Sequence, residues 1–332
     1  MVHLLYLACA SVWLVLAFIQ AAWFFRFRAL NILALPQPDA LTSKEKRRLQ
    51  HYFYGTTYLS VILCTLRGQP RSRREKRLFT NLAALAYFFD DLVDAFRGRD
   101  DTGLLWQDNP EVYGHAADER GIALHFLHHL YLELPPGDLA QFKEFMHRVF
   151  NVETAGRQMN NALQINDLAN ITAEKGGYSV LLFRRVLSHP LSSTEHAALY
   201  QFGYLIQLCD DIFDLWHDHQ AGMCTLATVL AEQQQISELN ELFESQVVTV
   251  RTTFYQLGRP LHGHLAWAVV YYLVTITRVC LRHYGDLEKK HGTLPLRDRS
   301  LLVVDMERSR FRWRAVQQFL RGRWTTTERP SR

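Results

Sequence analysis

Two short runs of aspartate offer the clearest chemistry in this chain: Asp90-Asp91-Leu92-Val93-Asp94, and Asp210-Asp211-Ile212-Phe213-Asp214 continued by Asp218. Carboxylates gathered this closely repel one another and raise their own pKa values unless cations neutralise them. Oxygen donors without Cys or a close His pair suit Mg²⁺, which keeps several waters and shares its coordination with substrate phosphates. The expected ligand therefore carries phosphate. Residues four apart share one face of a helix. The first such line reads Leu78, Leu82, Ala86, Asp90, Asp94, and the second reads Phe202, Ile206, Asp210, Asp214, Asp218. Both turn from apolar to anionic. An acidic continuation of an inward-facing apolar stripe is costly unless the charges are paired or metal-bound, so the aspartates are expected to line a wet mouth over an apolar interior. A diphosphate carried on a hydrocarbon chain fits both requirements.

The elements that must position these residues are helices. Apolar residues recur at i, i+3, i+4 spacing after Asp39 and strand-like alternation is nowhere sustained, so the chain is expected to be all-α. Breaks are expected at Gly68 to Pro70, Gly98 to Pro110, Pro135 to Gly137, His189 to Pro190, Gly258 to Pro260 and Gly292 to Pro295, leaving roughly eight to ten helices. Three of them, near 118–134, 138–170 and 175–188, separate the two acidic runs. In an up-and-down bundle an odd number of intervening helices makes the flanking pair parallel, which brings both runs to one end. The segment from Leu265 to Ile276 is apolar almost all round and reads as a central core helix.

The chain has 332 residues, 48% hydrophobic and 21% charged, which supplies a large core and excludes a disordered or fibrous protein. A formal net charge of +4 gives no support to nucleic-acid binding, and no recognition motif accompanies it. The five cysteines are scattered without a C-x-x-C pair, so reduced thiols are expected rather than a disulfide framework. Basic residues concentrate in two places, Arg67 to Arg77 and Met306 to Arg332, which read as solvated faces or as contacts for anionic lipid headgroups. His125, His128 and His129 lack an acidic helper at metalloprotease spacing and read as helix-surface histidines.

Residues Leu4 to Phe25 form an apolar run interrupted only by Ser11 and Gln20, long enough at 1.5 Å per residue to cross a hydrocarbon layer of roughly 30 Å. Arg26 and Arg28 follow it directly, which by the positive-inside tendency places the remainder of the chain in the cytoplasm. The expected organisation is a transmembrane or membrane-associated helix over 1–28, a linker over 29–44, a helical domain over 45–305 and an Arg-rich tail over 306–332.

The acidic motifs resemble those of the class I isoprenoid synthases: trans-isoprenyl diphosphate synthases, terpene synthases, and squalene or phytoene synthases. Phe202 to Asp218, read F-G-x-x-x-Q-x-x-D-D-x-x-D-x-x-x-D, is similar almost position for position to the second aspartate-rich region of prenyltransferases, Gln207 included. The spacing of Asp210, Asp214 and Asp218 also resembles the metal-binding triad of terpene cyclases. Lys175, before Gly176-Gly177, resembles a diphosphate-binding lysine at a helix break, and Arg97 and Arg99 resemble the arginines that follow the first motif at somewhat greater spacing. The resemblance covers roughly residues 45 to 290. It implies an α-helical bundle of the class I terpenoid synthase type, here with an N-terminal anchor, and a site holding three Mg²⁺ ions, with Mn²⁺ as a substitute. Asp90, Asp91, Asp94, Asp210, Asp211, Asp214 and Asp218 would be the metal ligands. Arg97, Arg99, Lys175, Arg184, Arg185 and Gln207 would bind substrate, and Phe89 and Phe213, with Phe88, Phe183 and Trp216, would line the cavity. A homodimer would be in keeping with the same resemblance.

Two features depart from the prenyltransferase pattern. There is no clean G-K-x-x-R segment for a homoallylic cosubstrate, although Lys46, Arg47 and Arg48 lie at a comparable distance upstream, and Met223 follows Gly222 where a lysine is usual. These departures favour a terpene cyclase acting on one prenyl diphosphate. The closeness of the second motif favours a prenyltransferase, chain-elongating or head-to-head. A catalytically silent membrane protein that keeps the fold to bind lipids or a partner is the third reading.

Overall fold

A computed structural model of the chain describes residues 2–29, 33, 41–96, 119–156, 164–257, 260–305 and 309–321. Among these residues there are thirteen α-helices and no strand: the class is all-α as the hydrophobic periodicity predicts, and the count exceeds the expected eight to ten because three are short helices of seven, seven and four residues. They are α1 (Val2–Phe24, continued by a π-helical turn at Phe25–Ala29), α2 (Ser43–Arg67), α3 (Arg73–Phe96), α4 (Glu119–Glu133) and α5 (Pro136–Gly156). There follow α6 (Ile165–Arg185), α7 (Ser193–Phe213), α8 (Leu215–Ala221), α9 (Leu226–Glu232), α10 (Ile236–Gln256), α11 (Pro260–His291), α12 (Arg299–Leu302) and α13 (Ser309–Arg321).

Local chemistry sets several of these ends. At α2 the Thr42 hydroxyl accepts from the Glu45 N–H at 3.3 Å while Glu45 accepts from the Thr42 N–H at 2.6 Å, a reciprocal cap. The same helix stops at Gly68, whose φ of 72° lies in the left-handed region and lets its N–H reach the Cys64 and Thr65 carbonyls. Ser192 caps α7 by accepting from the Glu195 N–H at 3.1 Å.

Helix α11 runs through the middle, packed by α1, α2, α7, α10 and α13. Tyr58 of α2 donates to the Val269 carbonyl at 2.8 Å and Tyr284 donates to the Ile212 carbonyl of α7 at 3.0 Å, so α11 anchors both neighbours. Helix α1 joins this core: Leu7, Ala10, Leu14, Phe25 and Ala29 are buried against α2 and α11, and Ser11 is hydrogen-bonded to Tyr272. Its other side is apolar and open. Leu5, Val12, Val15, Leu16, Ile19 and Trp23 are all more than half exposed. Helices α1 and α11 are both long and apolar enough to cross a membrane, but α11 is mostly enclosed by protein. Part of the Arg-rich tail is also folded, since α13 is docked on α11 by the buried Phe311 and by Phe319, whose ring lies 4.9 Å from that of Tyr272.

Among the described residues three helices lie between α3 and α7, the expected number, but their boundaries differ from expectation. Gly176 and Gly177 do not break a helix. They sit inside α6, where a Cβ on Gly176 would overlap the Gly203 carbonyl oxygen of α7 and one on Gly177 would overlap the Tyr200 ring. The pair is there to let two helix backbones touch, so Lys175 is a mid-helix residue rather than one at a break. Conversely, the second acidic line is not one continuous helix: α7 ends at Phe213, and Asp214 is the hinge into α8 with φ −91° and ψ 8°.

Candidate functional site

One end of the bundle, the base, is defined by ion pairs. Arg74 at the start of α3 donates to the Glu133 carbonyl at the end of α4. Arg185 at the end of α6 is bound to Asp138 at the start of α5. Arg184 holds Glu195, in the first turn of α7, by two bonds of 2.5 and 2.9 Å. The starts of α3, α5 and α7 therefore share this end with the finishes of α4 and α6, and α3 and α7 run in the same direction. Asp90, Asp91 and Asp94 lie in the last turns of α3 and Asp210 in the last turn of α7, both far from the base. The α3 carboxylates themselves lie outside the described residues, as do Arg97 and Arg99.

On the α7 side the arrangement is described in full. Asp211 is buried and turned toward α6, accepting from the Gln207 amide at 2.9 Å and from the Thr172 hydroxyl at 3.3 Å. Gln207 also reaches Asp210 at 3.3 Å, so it holds two carboxylates in place. Lys175 stands beside this pair and is bound to Glu153 of α5 at 2.8 Å. The Lys175 side chain as a whole is about one-third exposed, at 34%. Lys175, Glu153, Gln207 and Asp211 line a small recess of about 50 Å³. Asp210 and Asp214 are exposed and Asp218 is half-buried.

The charges in this cluster are strained toward neutrality. Burial, and then the charge of Asp214, raise the pKa of Asp210. Burial pushes Asp211 up to about 6, despite the bonds from Gln207 and the pull of Lys175. Burial together with Asp211, Asp214 and Asp210 pushes Asp218 up to about 7. Lys175 goes the other way. Burial works against its charge, but Glu153, Asp211 and Asp210 outweigh that and keep it protonated. An aspartate that reaches solvent and is still desolvated by its surroundings, as Asp210 is, stands in a concavity. Phe213, the residue before Asp214, lines with Tyr284 and Arg299 a larger recess of about 680 Å³ that runs between α7, α11 and the segment after α12.

Other expected members of the site are elsewhere. Arg184 and Arg185 lie nine and ten residues beyond Lys175, roughly 14 Å along α6 at 1.5 Å per residue, and are consumed by the base ion pairs. Neither reaches the aspartates. Phe88 is buried against Phe126, with ring centroids 6.0 Å apart, and Phe183 against Phe79 at 5.6 Å, so both are core. Phe89 is half-buried against the core, and Trp216 is covered by the Arg299 guanidinium at 5.5 Å. Glu153 and Thr172 belong to the site although nothing in the sequence singles them out. Each sits on a neighbouring helix, and no spacing along one helix reveals a contact made across two.

Among the described residues no three His, Cys, Asp or Glu side chains converge on a point where an ion could sit. The donors nonetheless have the right chemistry for a hard cation: oxygen only, in excess of the local positive charge, with raised pKa values that a divalent ion would relieve. No family model matches the sequence, and no curated protein and no solved structure matches it.

Proposed function

We propose that this chain is a Mg²⁺-dependent isoprenoid enzyme that ionises an allylic prenyl diphosphate, a class I terpene synthase releasing diphosphate. The observation that carries the reading is the pairing of two Asp-Asp-x-x-Asp runs on helices that run in the same direction, so that both runs belong to one end of an all-α bundle. Asp90, Asp94, Asp210, Asp214 and Asp218 would hold the ions, which neutralise charge on a departing diphosphate. Lys175 spends one of its three N–H donors on Glu153 and has the others free for a phosphate oxygen. Gln207 and Thr172 keep Asp211 and Asp210 aimed. The recess beside Phe213 and Tyr284 would take the hydrocarbon chain, with aromatic faces toward a developing cation.

The enzyme would work at a membrane, with α1 as its attachment and the aspartate mouth on the cytoplasmic side. The test is incubation of the full chain with geranyl, farnesyl and geranylgeranyl diphosphates and Mg²⁺, with and without isopentenyl diphosphate. Diphosphate release and a hydrocarbon or alcohol product from one substrate alone are expected. A longer prenyl diphosphate formed only with isopentenyl diphosphate would make it a prenyltransferase, the reading favoured by the second motif. No diphosphate release from any substrate would reject both and favour a silent lipid- or partner-binding protein.

A further inference from the structure

A second recess, strongly apolar, lies away from the aspartates: a cleft of about 430 Å³ between α1, α2 and α3, toward the base. Phe53, Phe79 and Val61 form its walls. Thr56, Thr57 and Thr80 also line it, but their hydroxyls are spent on carbonyls of their own helices at 3.1, 2.7 and 2.7 Å, which leaves their methyl groups for the cavity. Gln20 and two cations, Arg71 and Lys76, break this apolar lining. Among the described residues neither side chain makes an ion pair or a hydrogen bond. Arg71 lies over the Phe79 ring at 5.1 Å, and burial lowers its pKa from the ordinary guanidinium value. Glu75 offsets this burial only in part, because it is bound by Arg67 at 2.6 and 2.9 Å and by the Ser72 and Ser188 N–H groups rather than by Arg71.

A greasy cleft with two unmatched cations suits an amphiphile with an anionic head. The mouth shows where it would come from. Ile19 and Trp23 line the cleft and also belong to the open apolar side of α1, where they are 61% and 55% exposed. A chain can therefore pass into the cleft directly from a hydrocarbon layer lying against α1. Arg26 and Arg28 follow on the next turn, with Arg28 over the Trp23 ring at 5.7 Å, in the position of headgroup contacts.

We propose that the α1–α2–α3 cleft binds one anionic phospholipid of the bilayer, an acyl chain lying along Phe53 and Phe79 and the headgroup phosphate bound by Arg71 and Lys76. The site is separate from the aspartate cluster and does not depend on prenyl chemistry.

The test is native mass spectrometry of the full chain released from bilayer discs of equimolar phosphatidylcholine and phosphatidylglycerol. One retained phosphatidylglycerol per chain is expected, preferred over phosphatidylcholine by about tenfold or more, because both lipids offer the phosphate but the choline ammonium sets a positive charge against Arg71 and Lys76. Arg71→Gln and Lys76→Gln should each erase most of that preference, Arg71→Lys should keep it, and Ala21→Phe, which fills the cleft, should abolish retention of either lipid. Lys76 is exposed, so its variant keeps the test decisive even if changes at Arg71 or Ala21 disturb folding. Equal retention of the two lipids, or an unchanged preference in Lys76→Gln, would overturn the proposal. Displacement of the retained lipid by farnesyl diphosphate, or by glycerol phosphate alone, would also overturn it, by assigning the cleft to a soluble phosphate ligand.

Discussion

At the scale of single residues, the carboxylates make two predictions. Asp210 is exposed and held by Gln207 at 3.3 Å, so replacing it removes a charge without removing a core contact. Asp210→Asn, like Asp90→Asn, should lower prenyl diphosphate turnover by about a hundredfold or more, the usual cost of deleting one member of a charge-stabilising site, with the helical circular dichroism unchanged. Turnover at the original rate would reject these residues as metal ligands. The second prediction concerns pH. The folded protein raises Asp211 to about 6 and Asp218 to about 7, above the ordinary 3.8. A carboxyl raised on folding contributes stability that is present at low pH and lost as pH climbs through its folded pKa, because ionising it in place costs more than ionising it in the unfolded chain. A bound divalent cation removes that cost, and protons compete with it. The rise in melting temperature produced by Mg²⁺ should therefore be larger at pH 8 than at pH 5.5, and a rise independent of pH would count against these two groups. The aspartates were legible in the sequence because their spacing is regular. The Lys175–Glu153 pair was not, since it joins two helices whose mutual register no single-sequence pattern encodes.

At the scale of elements, helix type was legible and helix ends were less so. Gly68, Pro135 and Gly292 stop helices for reasons visible in the chain, namely a left-handed cap, a missing N–H, or a restricted preceding residue, whereas α6 ends at Arg185, ahead of the break expected at His189 to Pro190. Gly176-Gly177 carries the same sequence signal and has the opposite role, because the touching backbones of α6 and α7 exclude any side chain there. The two cases differ only in what lies across from the glycine. Gly203 is the partner in this crossing, and a Cβ on it would overlap the backbone of Gly176 and Gly177. Gly203→Ala should consequently force α7 off α6 and cost about 1–3 kcal/mol in denaturant unfolding, the range for overpacking a tight interface. A helix-favouring substitution that left stability equal or higher would show that the two helices can separate freely. Because Asp211 and Thr172 meet at the same interface, the variant should also weaken the aspartate site.

At the scale of the whole molecule, the chain is organised around a buried carboxylate at the base as much as around the acidic mouth. The sequence placed Glu75 within a basic stretch that reads as a solvated face. In the fold it is 2% exposed and binds Arg67 from α2, its own helix start at Ser72, and the Ser188 N–H from the turn joining α6 and α7. Nothing in the local pattern reveals the burial, because it needs the Ser188 turn, 113 residues along the chain, to close over a carboxylate whose other partners, Arg67 and Ser72, are local. Burial opposes the charge of Glu75, but the Arg67 guanidinium and the two N–H groups prevail and hold its pKa near 2, against an ordinary 4.5. A carboxyl depressed on folding stabilises the protein fully above its unfolded pKa and ceases to do so as pH falls through the folded one. The latch should thus contribute about 3 kcal/mol at neutral pH, declining between pH 4.5 and 2. Glu75→Gln leaves Arg67 buried without its counter-charge and should lower stability by about that amount or somewhat more at pH 7, as breaking a buried ion pair does. Denaturant unfolding of the two forms at pH 7 and again near pH 3 checks the argument. The gap should narrow in acid, as protonation begins to do to the native residue what the substitution does permanently, and a gap that stayed constant would mean that shape and hydrogen bonding, rather than charge, hold the base together.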